Sequence, residues 1–86
     1  MNTELMLFAR FEKPYVRLED ICQEFFGLCD KRAKVAAASQ LLPVPVLRTM
    51  DSQKSPMMIK ISDLAAYIDA RHERYQKTWE KVQGVL

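Results

Sequence analysis

Residues 18–41 read LEDICQEFFGLCDKRAKVAAASQL, and this stretch decides the fold that the sequence predicts. The carboxylates of Glu19 and Asp20 suit the positive end of a helix dipole, so we expect a helix over 18–26. Gly27 can take the left-handed backbone conformation that ends a helix. Asp30 is a good cap for a second helix, which we expect over 30–41. The stretch therefore predicts two helices joined by a short turn.

Both helices have a side that can be buried. The expected inward face of the first helix consists of Ile21, Cys22, Phe25 and Phe26. The second helix has a face of small side chains, which allow close packing of the two backbones. These small residues are Ala33, Ala36 and Ala37.

Shorter elements flank the helix pair. A helix is expected over 3–11, and a strand over 5–10 is the open alternative. Pro14 follows, where a helix cannot continue. After the pair, the branched apolar residues of 44–49 and 57–61 predict two strands of a hairpin with a polar tip.

The last element is expected to be a long helix over 62–83, capped by Ser62 and stopped by Gly84. Its apolar positions form one stripe, Leu64, Ile68, Tyr75, Trp79 and Val82. Such a helix is some 30 Å long, more than a small core can cover. We therefore expect its outer part to join two copies in a homodimer, with the dimerisation residues Ile68, Tyr75, Trp79 and Val82.

The chain has 86 residues, 49% of them apolar, which bounds a single small domain over 1–86. The order helix, turn, helix, hairpin, helix is that of a winged helix-turn-helix, an arrangement that phage excisionases share. The expected fold class is α+β and mostly α, with a β-hairpin wing and a long C-terminal helix.

The net charge of +2 is unevenly distributed. Residues 31–60 hold six lysines and arginines against one aspartate, whereas residues 1–30 have a net charge of −3. A focused basic segment favours a polyanionic partner, although an ordinary solvated face has the same composition.

The basic residues fall on the second helix of the pair and on the predicted wing over 46–61. The candidate DNA-binding residues are Lys31, Arg32, Lys34, Val35, Ala38 and Ser39 in the helix and Arg48, Ser52, Gln53, Lys54 and Ser55 in the wing. A recognition helix of this kind enters the major groove of double-stranded DNA. Arg32 is the first candidate for base reading, because arginine can donate two hydrogen bonds to guanine. Lys31, Lys34 and Lys54 are candidate phosphate contacts.

Several stretches together resemble the pyocin activator protein (PrtN) family, small bacterial transcription activators that bind DNA upstream of bacteriocin genes. The stretches are Met1-Asn2-Thr3, Leu18-Glu19-Asp20-Ile21-Cys22, Phe26-Gly27-Leu28, Leu42-Pro43-Val44-Pro45, Asp51-Ser52-Gln53-Lys54-Ser55-Pro56 and Asp63-Leu64-Ala65-Ala66-Tyr67-Ile68-Asp69. The resemblance implies sequence-specific binding to promoter boxes and activation of a bacteriocin or prophage operon, usually within a DNA-damage response. Val35-Ala36 and Met57 depart from the family pattern, so the DNA site can differ.

Other classes of function find little support. No Gly-rich phosphate loop and no partnered nucleophile occur, so an enzyme is not expected. Cys22, Cys29 and His72 make neither a disulfide framework nor a metal site, and no cofactor is expected. The apolar run Leu5–Ala9 is too short to span a bilayer, and Glu4 precedes it where a secretory signal carries positive charge. We expect a cytoplasmic protein.

Two alternatives to a transcription activator stay open. One is an architectural DNA-binding protein like the excisionases, and the other is a winged module that binds proteins. An activator must also contact RNA polymerase, for which the acidic residues Glu19, Asp20 and Glu24 are candidates on charge alone.

Overall fold

The computed structural model describes residues 2–50 and 55–84. It is mostly helical, with one small sheet. The elements in chain order are α1 (Thr3–Phe11), β1 (Tyr15–Arg17), α2 (Leu18–Ile21) continued by a π turn (Cys22–Phe26), α3 (Asp30–Ala38), β2 (Met58–Lys60) and α4 (Ile61–Gly84).

The first element is a helix, so the strand alternative for this segment is wrong. Asn2 caps α1, because its side-chain oxygen accepts hydrogen bonds from the backbone N–H groups of Glu4 and Leu5. The Thr3 hydroxyl instead donates to the Asp69 carboxylate at 2.6 Å, which ties α1 to α4.

The predicted helix pair is present, with a shorter second helix. Gly27 ends the first helix in the left-handed conformation (φ 67°), as expected. α3 stops at Ala38 because Gln40 also takes a left-handed conformation (φ 55°). The N–H groups of Gln40 and Leu41 then donate to the carbonyls of Ala37 and Ala36, a Schellman motif.

The sheet differs from the predicted hairpin. β2 lies within the predicted strand 57–61, but its ladder partner is β1, in the antiparallel register Tyr15↔Lys60, Val16↔Ile59 and Arg17↔Met58. The predicted strand 44–49 is wrong in extent. It pairs with β2 only at Leu47, through two 2.9 Å backbone hydrogen bonds with Met58. Two prolines in 43–45 lack the N–H groups that a longer ladder needs.

We call residues 44–57 the wing segment, of which 51–54 lie outside the described residues. The antiparallel relation of the two arms of the predicted hairpin is thus present as a single residue pair, Leu47 with Met58. β1 escaped sequence analysis because three residues between Pro14 and α2 are too few to show a strand pattern.

All elements meet in one core. The largest fully buried side chains are those of Leu18, Ile21, Ile59, Leu64 and Cys22. Of the predicted inward face of α3, Ala33 is fully buried and Ala37 packs against the core, whereas Ala36 is half-buried. The Phe26 ring packs against Tyr67 with centroids 5.5 Å apart, joining the π turn to α4.

α4 extends far beyond this core. Ile61, Leu64 and Ala65 are buried and Ile68 is half-buried, but every described residue from Asp69 to Gly84 is exposed. The molecule measures 55 × 27 × 17 Å. Within the described residues, none of the helices is long and apolar enough to cross a membrane.

Leu64→Ala should lower the free energy of unfolding by about 2–5 kcal/mol, because it opens a cavity at a fully buried position. Leu41→Ala is the matched control, since that side chain is 77% exposed and should cost less than about 0.5 kcal/mol. Urea denaturation of both variants measures the difference. Equal losses would contradict the described core.

Candidate nucleic-acid interface

The outer side of α3 carries several of the predicted DNA-binding residues. Ala33 points into the core, and helical geometry of about 100° per residue places Lys31, Val35 and Ala38 on the opposite side. All three are exposed. This side of α3 has no cover among the described residues and is open to a large partner.

Lys34 lies at the edge of α3 that faces the wing segment. A groove of about 670 Å³ between the two is lined by Lys34, Val35, Ala37, Ala38, Val46, Arg48 and Met57, and we call it the cationic groove. A neighbouring cleft of about 290 Å³ is lined by Leu18, Glu19, Lys34, Arg48, Ser55, Pro56 and Met57. The fold therefore brings Lys34 and Arg48, which are fourteen positions apart in sequence, to the walls of the same depressions.

Arg48 is held in place by the wing segment itself. Its Nη1 donates to the Ser55 carbonyl at 2.7 Å, and the Ser55 hydroxyl donates to the Met50 carbonyl at 3.1 Å. These bonds join the two arms of the wing segment next to the groove. They give Arg48 a defined position beside α3.

Carboxylates surround Lys34. Its Nζ lies 3.3 Å from an Asp30 oxygen and 4.0 Å from a Glu19 oxygen, and Glu19 also lies 3.4 Å from Arg17. The Lys34 side chain is still 52% exposed, so it is not sealed in a protein contact. Exposed ion pairs of this kind contribute little net energy, so a phosphate can replace the carboxylates at low cost.

The remaining predicted residues are dispersed. Arg32 and Ser39 are exposed on the edge of α3 away from the cationic groove, by the same helical geometry. Ser52, Gln53 and Lys54 lie outside the described residues. Ser55 borders the neighbouring cleft. The structure thus groups Lys34, Val35 and Arg48, with Lys31 one turn earlier on α3.

The position of Glu19 in the structure suggests a role other than contact with RNA polymerase. It was a candidate for polymerase contact on charge alone, yet it lines the cleft beside Lys34 and Arg48. Met57 also lines both depressions. Neither position carries a local sequence signal, because only the packing of α2 and β2 brings them beside α3.

Glu24, a second acidic candidate, is already paired. Its carboxylate accepts two hydrogen bonds from the Arg10 guanidinium. That guanidinium also lies over the rings of Phe11 and Phe25. The hydrogen bond from Arg10 lowers the pKa of Glu24 and in turn raises the pKa of Arg10. Glu24 therefore links α1 to the π turn.

The other candidate groups show no site. Cys22 is buried, and Cys29 and His72 are exposed. In the part of the chain that the structure describes, no three histidine, cysteine or acidic side chains come close enough to hold a metal ion.

The family model described as pyocin activator protein PrtN matches residues 3–74. The chain belongs to this family. No curated protein and no solved structure matches it. PrtN proteins form a family of regulatory activators and not of enzymes, and the match includes every candidate DNA-binding residue. Tyr75, Trp79 and Val82 lie beyond the matched residues.

Arg10→Ala should raise the pKa of Glu24 towards the value of a free glutamate, because it removes the hydrogen bond that favours the carboxylate. Because the pKa of Glu24 is lower in the folded than in the unfolded protein, the pair stabilises the fold at a pH above the unfolded pKa. This contribution is lost as the pH falls through the folded pKa. NMR titration of the Glu24 carboxyl measures the shift. An unchanged titration curve in Arg10→Ala would show that the pair does not form in solution.

Proposed function

We propose that this protein is a cytoplasmic, sequence-specific DNA-binding transcription activator of bacteriocin (pyocin-like) or prophage genes. It binds double-stranded DNA at promoter boxes through α3 and the wing segment, as a homodimer. Membership of the PrtN family supports the regulatory part of this proposal. The cationic groove supports the choice of DNA as the partner.

One observation carries the DNA proposal: Lys34 of α3 and Arg48 of the wing segment line the same groove. Two cations from separate elements can contact phosphates on either side of a DNA groove, and phosphate contacts set the register of a protein on the duplex. Lys31 lies one turn earlier on the exposed side of α3 and extends the positive surface along the helix.

The residues between these cations suit base contact. Val35 and Ala38 are exposed on the outer side of α3, next to Lys34. In the major groove, small apolar side chains contact the methyl group of thymine. Arg32, at the other edge of α3, can donate to guanine. Together these side chains give α3 the means to discriminate between base pairs.

Glu19 holds Lys34 and Arg17 when no DNA is bound. Its carboxylate is near both cations, at 4.0 and 3.4 Å. DNA phosphate would replace it at Lys34, and the two anions would then repel each other across the cleft. Glu19 thus weakens phosphate contacts, which form at any DNA sequence. The protein should therefore prefer DNA sites at which base contacts add to the binding energy.

Lys34→Ala should reduce the slope of log affinity against log salt concentration by about 0.9, because one phosphate contact is lost. Arg32→Ala should instead relax preference at one base pair by about 1–3 kcal/mol. Fluorescence anisotropy with promoter duplexes at several salt concentrations, and with single base-pair changes, measures both effects.

Lys60→Ala is the matched control for Lys34→Ala. Lys60 lies on β2 beside α1, where it lines a cavity with Leu5 and Phe8, and it does not line the cationic groove. Its removal should leave the salt slope unchanged. Equal effects of the two lysine variants would refute the proposed interface, and binding confined to attachment sites would favour the excisionase-like alternative.

Asp20 is the acidic residue best placed to contact RNA polymerase. It is exposed and has no ion-pair partner among the described residues, whereas Glu19 and Glu24 are both paired. Asp20→Lys should therefore preserve promoter affinity and lower transcription in a reconstituted assay. Transcription at the level of the unmodified protein would exclude this contact.

A further inference from the structure

The exposed part of α4 continues a regular apolar pattern that begins inside the core. Spacings of four and three residues alternate along one side of the helix, through Ile61, Ala65, Ile68, His72, Tyr75, Trp79 and Val82, and His72 is the one polar residue among them. This is the a/d pattern of a coiled coil. The first three residues pack in the domain's own core, while the last four are exposed. We call these seven positions the α4 seam.

The outer seam lacks a partner in its own chain. Tyr75, Trp79 and Val82 are each more than 60% exposed, and α4 extends about 22 Å past Asp69 by its 1.5 Å rise per residue. Two aromatic side chains and a valine in a row on a helix form a contiguous apolar patch. Such patches mark sites of association.

We propose that the outer seam binds the same seam of a second copy in antiparallel orientation. The pattern of a/d positions is self-complementary, as a two-fold symmetric interface requires. It is also continuous with the core, because the side of α4 that buries Leu64 and Ala65 is the side that presents Tyr75 and Trp79.

The position of the domain excludes the parallel orientation. From Ile61 to Ile68, the domain's own core covers the seam side of α4. A parallel partner would carry its domain at the same height and on its own seam side, so both domains would occupy the same space. An antiparallel partner carries its domain at the opposite end of the helix pair, so the two domains lie apart.

The domain also sets the register. We place Tyr75 opposite Trp79 of the partner subunit. His72 then lies opposite Val82 of the partner subunit, and the midpoint of the paired region is level with Lys77 along the helix axis. A shift of one heptad towards the domain would place Val82 of the partner subunit opposite Ala65, which the domain's own core already buries. A shift in the other direction would separate Tyr75 from Trp79 of the partner subunit.

The charges of the outer α4 are segregated between its two flanks. Arg71, Arg74 and Lys81 lie on the flank of Tyr67, and Asp69, Glu73 and Glu80 lie on the opposite flank. Phe26 packs on Tyr67, and α1 is bonded to Asp69. Since α3 packs on α2 and the π turn, we infer that the cationic groove lies on the side of α4 that carries the basic flank.

A two-fold axis perpendicular to the paired helices keeps both basic flanks, and both cationic grooves, on one side of the dimer. Helices crossing at Lys77 separate the two Ala65 positions by about 36 Å along the helix axis, by the 1.5 Å rise. Dimeric helix-turn-helix proteins bind half-sites about 34–36 Å apart. This match rests on the proposed DNA binding, whereas the pairing of α4 does not.

The paired surface is small. Each aromatic side chain contributes at most about 150–250 Å², so the dimer falls at the low end of specific interfaces, below about 1,200 Å² in total. The dimer should therefore dissociate on dilution, and a duplex with two half-sites should strengthen it by holding both copies.

Disulfide trapping tests orientation and register without DNA. His72→Cys and Val82→Cys are made separately in a Cys29→Ser background, which removes the exposed native thiol. A mixture of the two variants, at a concentration where sedimentation shows dimers of the unmodified protein, should form a cross-linked dimer, and each variant alone should not. Cross-linking of Val82→Cys with itself would show a parallel dimer, and no cross-linking in the mixture would refute the pairing.

Trp79 reports on the same contact, because it is the only tryptophan in the chain. Its emission should shift to shorter wavelength as concentration rises, in parallel with dimer formation in sedimentation velocity. Trp79→Phe should weaken the dimer, and Trp79→Ala should raise its dissociation constant about tenfold or more. Lys77→Ala, on the outer side of the helix, should leave the constant unchanged. A monomer at all concentrations would overturn the proposal, whatever the result of the DNA assays.

Discussion

The burial of Ile21, Ile59 and Leu64 against one another is the constraint on which the rest of the structure depends. Each of these side chains is fully inaccessible, and they come from α2, β2 and α4. In a chain of 86 residues, a core of this size leaves few ways to arrange the elements. It fixes α2, and with it α3, relative to the strand that follows the wing segment. The cationic groove exists because of that fixed relation.

The electrostatics of the groove follow from the same packing. α2 presents Glu19 to Lys34 on α3, and β1 brings Arg17 to the other side of that carboxylate. Acidic and basic residues from different elements therefore share one surface. The net charge of the middle segment describes this surface poorly, because a carboxylate from the acidic first third of the chain lies within it. The surface that results combines positive and negative side chains within a few ångströms of one another.

α4 passes through two environments along its length. Its first two turns close the core, and its later turns present the same apolar side to solvent. Because the pattern does not change at Asp69, a residue's role depends on whether the rest of the domain reaches it. The small core covers the helix as far as Ile68 and no further. The length of α4 thus leaves one part of an amphipathic pattern packed in the core and the other part exposed to solvent.

The sequence alone determined the helices, because capping residues, Gly27 and the helical spacing of apolar residues act over a few positions. It also predicted the PrtN family, which the match over residues 3–74 confirms. Tertiary structure decided what local signals cannot encode: the pairing of β1 with β2 and the position of Glu19 beside Lys34. These depend on contacts between residues far apart in the chain. The energies of these long-range contacts favour one arrangement only after the core has brought the elements together.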